Sequence, residues 1–310
     1  MQEPLASYGH VGLVHHMAYP QVISGEGPIL ETLEAIALDP FFAAVEVTRM
    51  KDSGVRKQAA AMLSVAGMEV VFVAVPPLLQ EKLSLCDLSA AKRKKAVDFA
   101  RGMIDQAYEL GASIMVVASG PDPGEAQRAA ATGAFTESLK ELCRDAQEKA
   151  GASMLSISVE NFDQKVDKRF LLGPTKAAAD LVSGVYAEYS NVGLTIDLSH
   201  QPLLGESIAE MVLNAVEHLI HVHIGNCVVG DKAHAGYGDK HPRFGCPGGA
   251  VGQEELKRFL ESLVYAGYFK KSVPTTMPVV SFEVRPMADE RPEWVIANAK
   301  RALTQAWARL

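Results

Sequence analysis

The 310-residue chain carries 30 basic against 37 acidic residues, a formal charge of -7, and 48% of it is apolar. This ordinary globular composition excludes intrinsic disorder, collagen-like chains and coiled coils, and the acidic balance argues against nucleic acid as a partner because it repels a phosphate backbone. The opening MQEPLASYGHVGLVHHMAYP has no basic region leading into a continuous apolar stretch, and no segment approaches the roughly 18 uninterrupted apolar residues of a membrane helix. The expectation is a cytoplasmic protein without membrane contact.

In chain order, eight short β-branched apolar runs read as strands: residues 10–18, 42–48, 69–75, 112–119, 153–160, 192–197, 218–225 and 278–284. Between them, residues 27–38, 52–67, 89–111, 134–151, 175–184, 207–218 and 253–267 have helical spacing, and Gly67, Gly111 and Gly151 stand where a left-handed helix end is cheap. Residues 292–310 read as a closing helix with Trp294, Ile296, Ala297, Leu303 and Trp307 as its buried stripe. Eight βα units in one run predict an α/β protein, a closed (β/α)₈ TIM barrel forming a single domain over residues 1–310, because doubly wound sheets stop at fewer strands and reverse direction. After the seventh strand, residues 226–252 form a long Gly-, His- and Pro-rich connection to the next helix, expected to be an ordered cover over an active site. Cys86, Cys143, Cys227 and Cys246 are separated by 57, 84 and 19 residues, a spacing of neither a zinc motif nor a disulfide framework, and are expected to be reduced.

In such a barrel, reactive side chains sit at the C-terminal ends of strands. The fifth run ends in Glu160, the sixth in Asp197 and the eighth in Glu283, while the seventh holds His221 and His223. Burying these groups unpaired costs several kcal/mol for each charge unless a cation lies among them. Oxygen-rich ligation with one imidazole suits Mn²⁺ first, with Mg²⁺ or Co²⁺ as substitutes, over thiolate-seeking zinc. Strand alternation puts His221 and His223 on the same face and leaves the choice between them open. Glu46, Arg49, His15 and His16 are equally explained as lining the mouth or as rim salt bridges and packed imidazoles, and Arg285 either steadies a ligand carboxylate or approaches the substrate.

The segments VENFD at Glu160, TIDLSH (195–200), HVHIGN (221–226) and SFEVRP (281–286) resemble the metal-binding strand ends of the xylose-isomerase-like superfamily of sugar isomerases and ketose 3-epimerases. That resemblance implies Glu160, Asp197, His223 and Glu283 as metal ligands and His200 as a substrate-contacting histidine. It departs from the 3-epimerases where those carry a second Glu and an Arg that hold the ketose, since the matching positions here are Val166 and Val229. GEGPILETL (25–33), DPFFAAVEV (39–47), GDKHPRFG (238–245) and the final SFEVRP are more closely similar to catalytic α subunits of bacterial C-glycoside deglycosidases. This narrower resemblance implies a carbon–carbon lyase that uses Mn²⁺, pairs with a small β subunit in a hetero-oligomer, and cleaves a 3-oxo C-glycoside by enolisation and β-elimination. Its catalytic residues would be Glu160 and Glu283, with His200 and His241 as candidate acids for the leaving aglycone. The alternative is a ketose 3-epimerase or sugar isomerase using the same chemistry on a small sugar. A non-enzymatic barrel is disfavoured by the intact ligand set, and a DNA-repair endonuclease by the acidic charge.

Overall fold

The computed structural model describes residues 3–310; Met1 and Gln2, at the start of the expected domain, lie outside the described residues. Eight parallel strands close into a barrel in chain order: β1 (His10–Val14), β2 (Ala44–Val47), β3 (Glu69–Val73), β4 (Ala112–Val117), β5 (Ser156–Glu160), β6 (Val192–Asp197), β7 (Leu219–Ile224) and β8 (Val279–Phe282). β1 pairs with β8 through Val11↔Val280 and Leu13↔Phe282, so no sheet edge remains open. The outer ring comprises α1 (Ile29–Ala37), α2 (Ser53–Val65), α3 (Ala90–Glu109), α4 (Arg128–Glu148), α5 (Thr175–Tyr186), α6 (Ile208–Ala215), α7 (Gln253–Tyr265) and α8 (Pro292–Trp307). The chain is a single-domain (β/α)₈ barrel, as its eight-unit alternation predicts.

Local signals explain the helix ends. Asp52 caps α2 by accepting from the Val55 backbone N–H, and Ser207 and Glu210 form a reciprocal capping box on α6. Gly67 and Gly111 end α2 and α3 in the left-handed region, at φ of +67° and +76°. Gly151 is not such an end, because α4 has already stopped at Glu148. α4 also begins earlier than expected, at Arg128, running through Gly133. On α8 the buried stripe is Val295, Ile296, Ala299, Leu303, Ala306 and Trp307; Trp294 points outward, 60% exposed, with the Arg291 guanidinium over its ring.

Burial divides the barrel in a way that positions the site. Alternate strand residues such as Leu13, Val45, Phe72, Met115, Ile157, Leu194, Val222 and Phe282 belong to the core that the helices cover. Facing inward on β3 and β4 are Val71, Val73, Ile114 and Val116, which pack with Phe162 and Phe170 as a separate apolar cluster. The opposite inner wall, from β5 through β8 and on to β2, carries the buried charges Glu46, Glu160, Asp197, His221 and His223. The interior is therefore apolar on one side and ionisable on the other. All four cysteines are free thiols. Among the described residues no helix is long and apolar enough to cross a membrane.

Candidate metal centre

Three of the four expected ligands converge directly. His223 Nδ1 lies 2.9 Å from Glu283 Oε2 and 3.3 Å from Glu160 Oε1, and one ligand atom from each of these residues falls within 4.8 Å of the others. Asp197 and His223 are direct cross-strand partners, and Glu283 lies two residues beyond Ser281, the partner of His223 on β8. β8 itself ends at Phe282, one residue short of the expected Glu283, but the Glu283 N–H still donates to the Ile224 carbonyl at 3.0 Å and so continues the ladder. Asp197 groups instead with His200 and His241, within the same 4.8 Å limit. Its oxygens accept from the Ser199 backbone N–H and hydroxyl, and Oδ2 is 3.7 Å from His241 Nδ1. His241 joins the two groups, its Nε2 lying 3.5 Å from Glu283 Oε1.

Beneath this centre sits Glu46, fully buried on β2. Its carboxylate accepts from His221 Nε2 at 2.7 Å and His223 Nε2 at 3.0 Å. Burial raises the Glu46 pKa, yet the two imidazoles outweigh it and hold the carboxyl well below its ordinary value. The structure thus separates the two strand-seven histidines: both face inward, but His221 points down to Glu46 while His223 spans from Glu46 to the Glu160–Glu283 pair. A hydrogen bond that fixes Nε2–H leaves Nδ1 as the ligand atom, the usual outer-shell arrangement of metal-bound histidine.

A second carboxylate, Asp239 from the 226–252 connection, organises the other side. It receives His241 Nε2 at 2.7 Å, His200 Nε2 at 3.2 Å and the Lys168 ammonium. Burial opposes charge on His200, but Asp239, Asp197 and Glu160 outweigh it and raise its pKa to about 10. For His241 burial is likewise outweighed, by Glu283, Asp239 and Asp197, and the pKa rises to about 9. Glu160 and Glu283 move in opposite directions. Burial dominates at Glu160 and raises it, whereas at Glu283 burial is overcome by His241 and His223, which hold it at about 2.

The centre forms the floor of a cavity of about 220 Å³ lined by Glu160, His223, Asp239, His241 and Glu283, with apolar Val73, Val75 and Phe162 on the opposite wall. The 226–252 connection contributes Asp239, Lys240 and His241, so it covers the site as expected. His241 adopts φ +52°, an uncommon conformation for a residue with a side chain and one that concentrates at functional sites. Gly225 explains how this loop can press on the barrel mouth: a Cβ there would stand 2.6 Å from the Glu283 carbonyl and 2.9 Å from His241 Nδ1. His200 is buried against Phe162 and does not line the cavity. Val166 and Val229 do not line it either, and Val229 is exposed, so the apolar replacement of a sugar clamp read from their spacing does not exist. Lys168, Lys240 and Arg285 line that side of the cavity instead. His16 also lines the cavity, with neither ring nitrogen hydrogen-bonded among the described residues; burial lowers its pKa to about 4.

These residues fit a divalent cation. Glu283 Oε2 is buried without a hydrogen-bond partner, because its approach to His223 Nδ1 is close but misaligned. Burial opposes charge on His223, but Glu46, Glu283 and Glu160 outweigh it and raise its pKa well above the ordinary value. A proton on Nδ1 and a hard cation are alternative ways of neutralising the same carboxylates.

A profile of the xylose isomerase-like TIM barrel family matches residues 34–296, and the chain belongs to that family. No curated protein sequence matches it. Among solved structures, a D-tagatose 3-epimerase-like protein superposes with a TM-score of 0.70 at 20% identity, covering 97% of this chain and 99% of the other. The IolI protein with a bound zinc atom gives 0.72 at 14% identity, covering 97% and 98%. The 3-keto-D-glucoside 4-epimerase of E. coli gives 0.65 at 15% identity, covering 97% and 99%.

Proposed function

We propose that the chain is a divalent-metal-dependent sugar isomerase or epimerase that removes and returns a proton beside the carbonyl of an oxo sugar. The observation that carries this reading is the convergence of two carboxylates, Glu160 and Glu283, on either side of His223 at the floor of one cavity. Glu160, Asp197, His223 and Glu283 would hold the cation, Mn²⁺ first and Mg²⁺ or Co²⁺ in its place. Such a cation, when bound, polarises a carbonyl and stabilises the adjacent enolate. Glu283 accepts the α proton with a carboxylate oxygen, and Glu160, on the other side of His223, returns one from its own side. His241 faces the cavity and is the nearer acid to a developing oxyanion; His200, hydrogen-bonded to the Asn161 carbonyl at 2.9 Å, holds Asp239 and Asp197 in place. The apolar wall and the loop exclude water from a reactive intermediate. Neighbouring folds described as a 3-epimerase-like protein and a 3-keto-glucoside 4-epimerase act as supporting analogy.

The test is incubation of the Mn²⁺-loaded protein with D-fructose, D-psicose, D-tagatose and a 3-oxo glucoside in D₂O. Inversion beside the carbonyl with deuterium uptake is the expected result. No exchange into any of them sinks the reading.

A second reading, C–C bond cleavage of a 3-oxo C-glycoside, starts from the same enolisation and then expels an aglycone that His241 or His200 protonates. It is favoured by one observation: the reaction cavity adjoins an open outer chamber of about 690 Å³, in which Pro20, Pro286, Met287 and Pro292 stand beside Gln21 and Glu290, roomy enough for an aromatic group. Its small β subunit partner belongs to this reading alone. Aglycone release from an oxidised C-glycoside, with and without such a partner, separates the two.

A further inference from the structure

Lys240 and Arg285 line both the reaction cavity and the outer chamber, so they mark the passage between them. Their electrostatic situations differ. Lys240 is paired with Asp167 at 3.2 Å, Lys168 with Asp239, and Glu290 of the outer chamber with Arg243 at 2.8 Å. Glu160 and Glu283 face His223, and Asp239 faces His200 and His241. Arg285 alone, of the permanently charged side chains lining either cavity, makes no ion pair or side-chain hydrogen bond among the described residues. It is half-buried and lines both spaces, so its guanidinium, without a protein partner, is free to pair with an anionic group of a ligand.

Its backbone is fixed for such a purpose. The Arg285 N–H donates to the His241 carbonyl at 2.7 Å, which ties it to the cover loop, and Pro286 restricts it to an extended conformation. It stands two residues beyond Glu283 and therefore at a set height above the proton-transfer groups. The planar guanidinium fork matches the paired oxygens of a carboxylate or phosphate and has no comparable complement in a sugar hydroxyl. The inner cavity, about 220 Å³, is smaller than the roughly 300 Å³ at which drug-sized ligand sites begin, so it suits one small sugar with its far end at the passage.

We infer that the substrate is an anionic oxo sugar, carrying a terminal carboxylate or phosphate that Arg285 binds at the passage while the carbonyl end reaches the centre below. The inference deepens the isomerase or epimerase reading and rests on it. Arg285 is then the residue that sets specificity for charge.

The experiment measures binding by calorimetry to the Mn²⁺-loaded protein, with D-fructose, D-fructose 6-phosphate and D-fructuronate as probes. A charge-assisted contact predicts that at least one anionic probe binds about 10- to 100-fold more tightly than fructose. The preference should fall to near unity in Arg285→Gln and be partly restored in Arg285→Lys; which anion binds more tightly decides between phosphate and carboxylate. Equal affinity of the three probes, or a preference that survives in Arg285→Gln, overturns the inference and leaves the sugar reading standing. Failure of all three to bind at millimolar concentration overturns both. Should Arg285→Gln not fold, the ratio in the unaltered protein decides alone.

Discussion

Glu46 is the side chain whose removal most sharply tests how the centre is built. Its carboxylate is fully buried and joins His221 and His223, so Glu46→Gln keeps the shape while removing a charge and one of two acceptor oxygens. The amide then presents a donor to one imidazole, and that ring must either turn or shift its proton to the other nitrogen. If His223 responds, Nδ1 gains the proton and ceases to be a ligand atom. Loss of such outer-shell partners costs about 10- to 100-fold in metal affinity, or roughly 1.4 to 2.7 kcal/mol. Breaking the buried pair also leaves imidazoles without their counter-charge, for a loss of stability of about 3 to 5 kcal/mol in the metal-free protein. Calorimetric titration with Mn²⁺ and a thermal unfolding series on the apo protein read the two effects separately. An unchanged Mn²⁺ affinity in a folded Glu46→Gln protein would refute the claim that Glu46 sets the tautomer of His223, whatever happened to stability.

Glu283→Gln is expected to weaken Mn²⁺ binding and to abolish proton exchange into substrate, because it removes a ligand and the base together; retained exchange at the unaltered rate would assign the base elsewhere. Replacing residues 236–245 by a short linker should lose Asp239 and His241 and with them at least a hundredfold in turnover, a loss that steady-state kinetics on a stably folded variant can check. The pH dependence of stability carries a signature of His15, which burial holds at a pKa of about 3 in the folded protein, with the neighbouring His16 adding to the shift. An unfolded His titrates near its ordinary 6.5, so below that pH the unfolded chain takes up a proton that the folded one refuses. Stability from this group is therefore complete above pH 6.5 and is lost as the pH falls, by about 2 kcal/mol at pH 5. Apo His15→Gln should show that much less acid destabilisation than the unaltered protein between pH 7.5 and 5, and an equal loss of unfolding free energy in the two proteins, read from urea titrations at the two pH values, would count against a neutral buried imidazole.

The barrel was legible because parallel strands covered on one face and packed on the other read as short continuous apolar runs, and each is followed by a helix of distinct period. Glu160, Asp197 and Glu283 were visible for the same reason: a carboxylate closing a run such as VGLTID interrupts hydrocarbon where a strand meets its loop. Glu46 interrupts β2 in the same way, yet its meaning lies in His221, 175 residues distant, and one residue of contrast inside AVEV does not show which imidazole it meets. Asp239 had no pattern at all, since a loop without period has no face, and only folding brings it to His200, His241 and Lys168. Val166 and Val229 show the reverse error. Counting residues from a ligand assumes that two loops follow the same path; here Asp163 gathers the N–H groups of Lys165 and Asp167 with its Oδ1 and that of Lys168 with its Oδ2, winding the chain into a tight turn. That turn places Lys168 on the cavity and leaves Val166 off it. A carboxylate three residues past a strand thus decides which side chain reaches the cavity, and such short-range hydrogen bonding is what a positional match passes over.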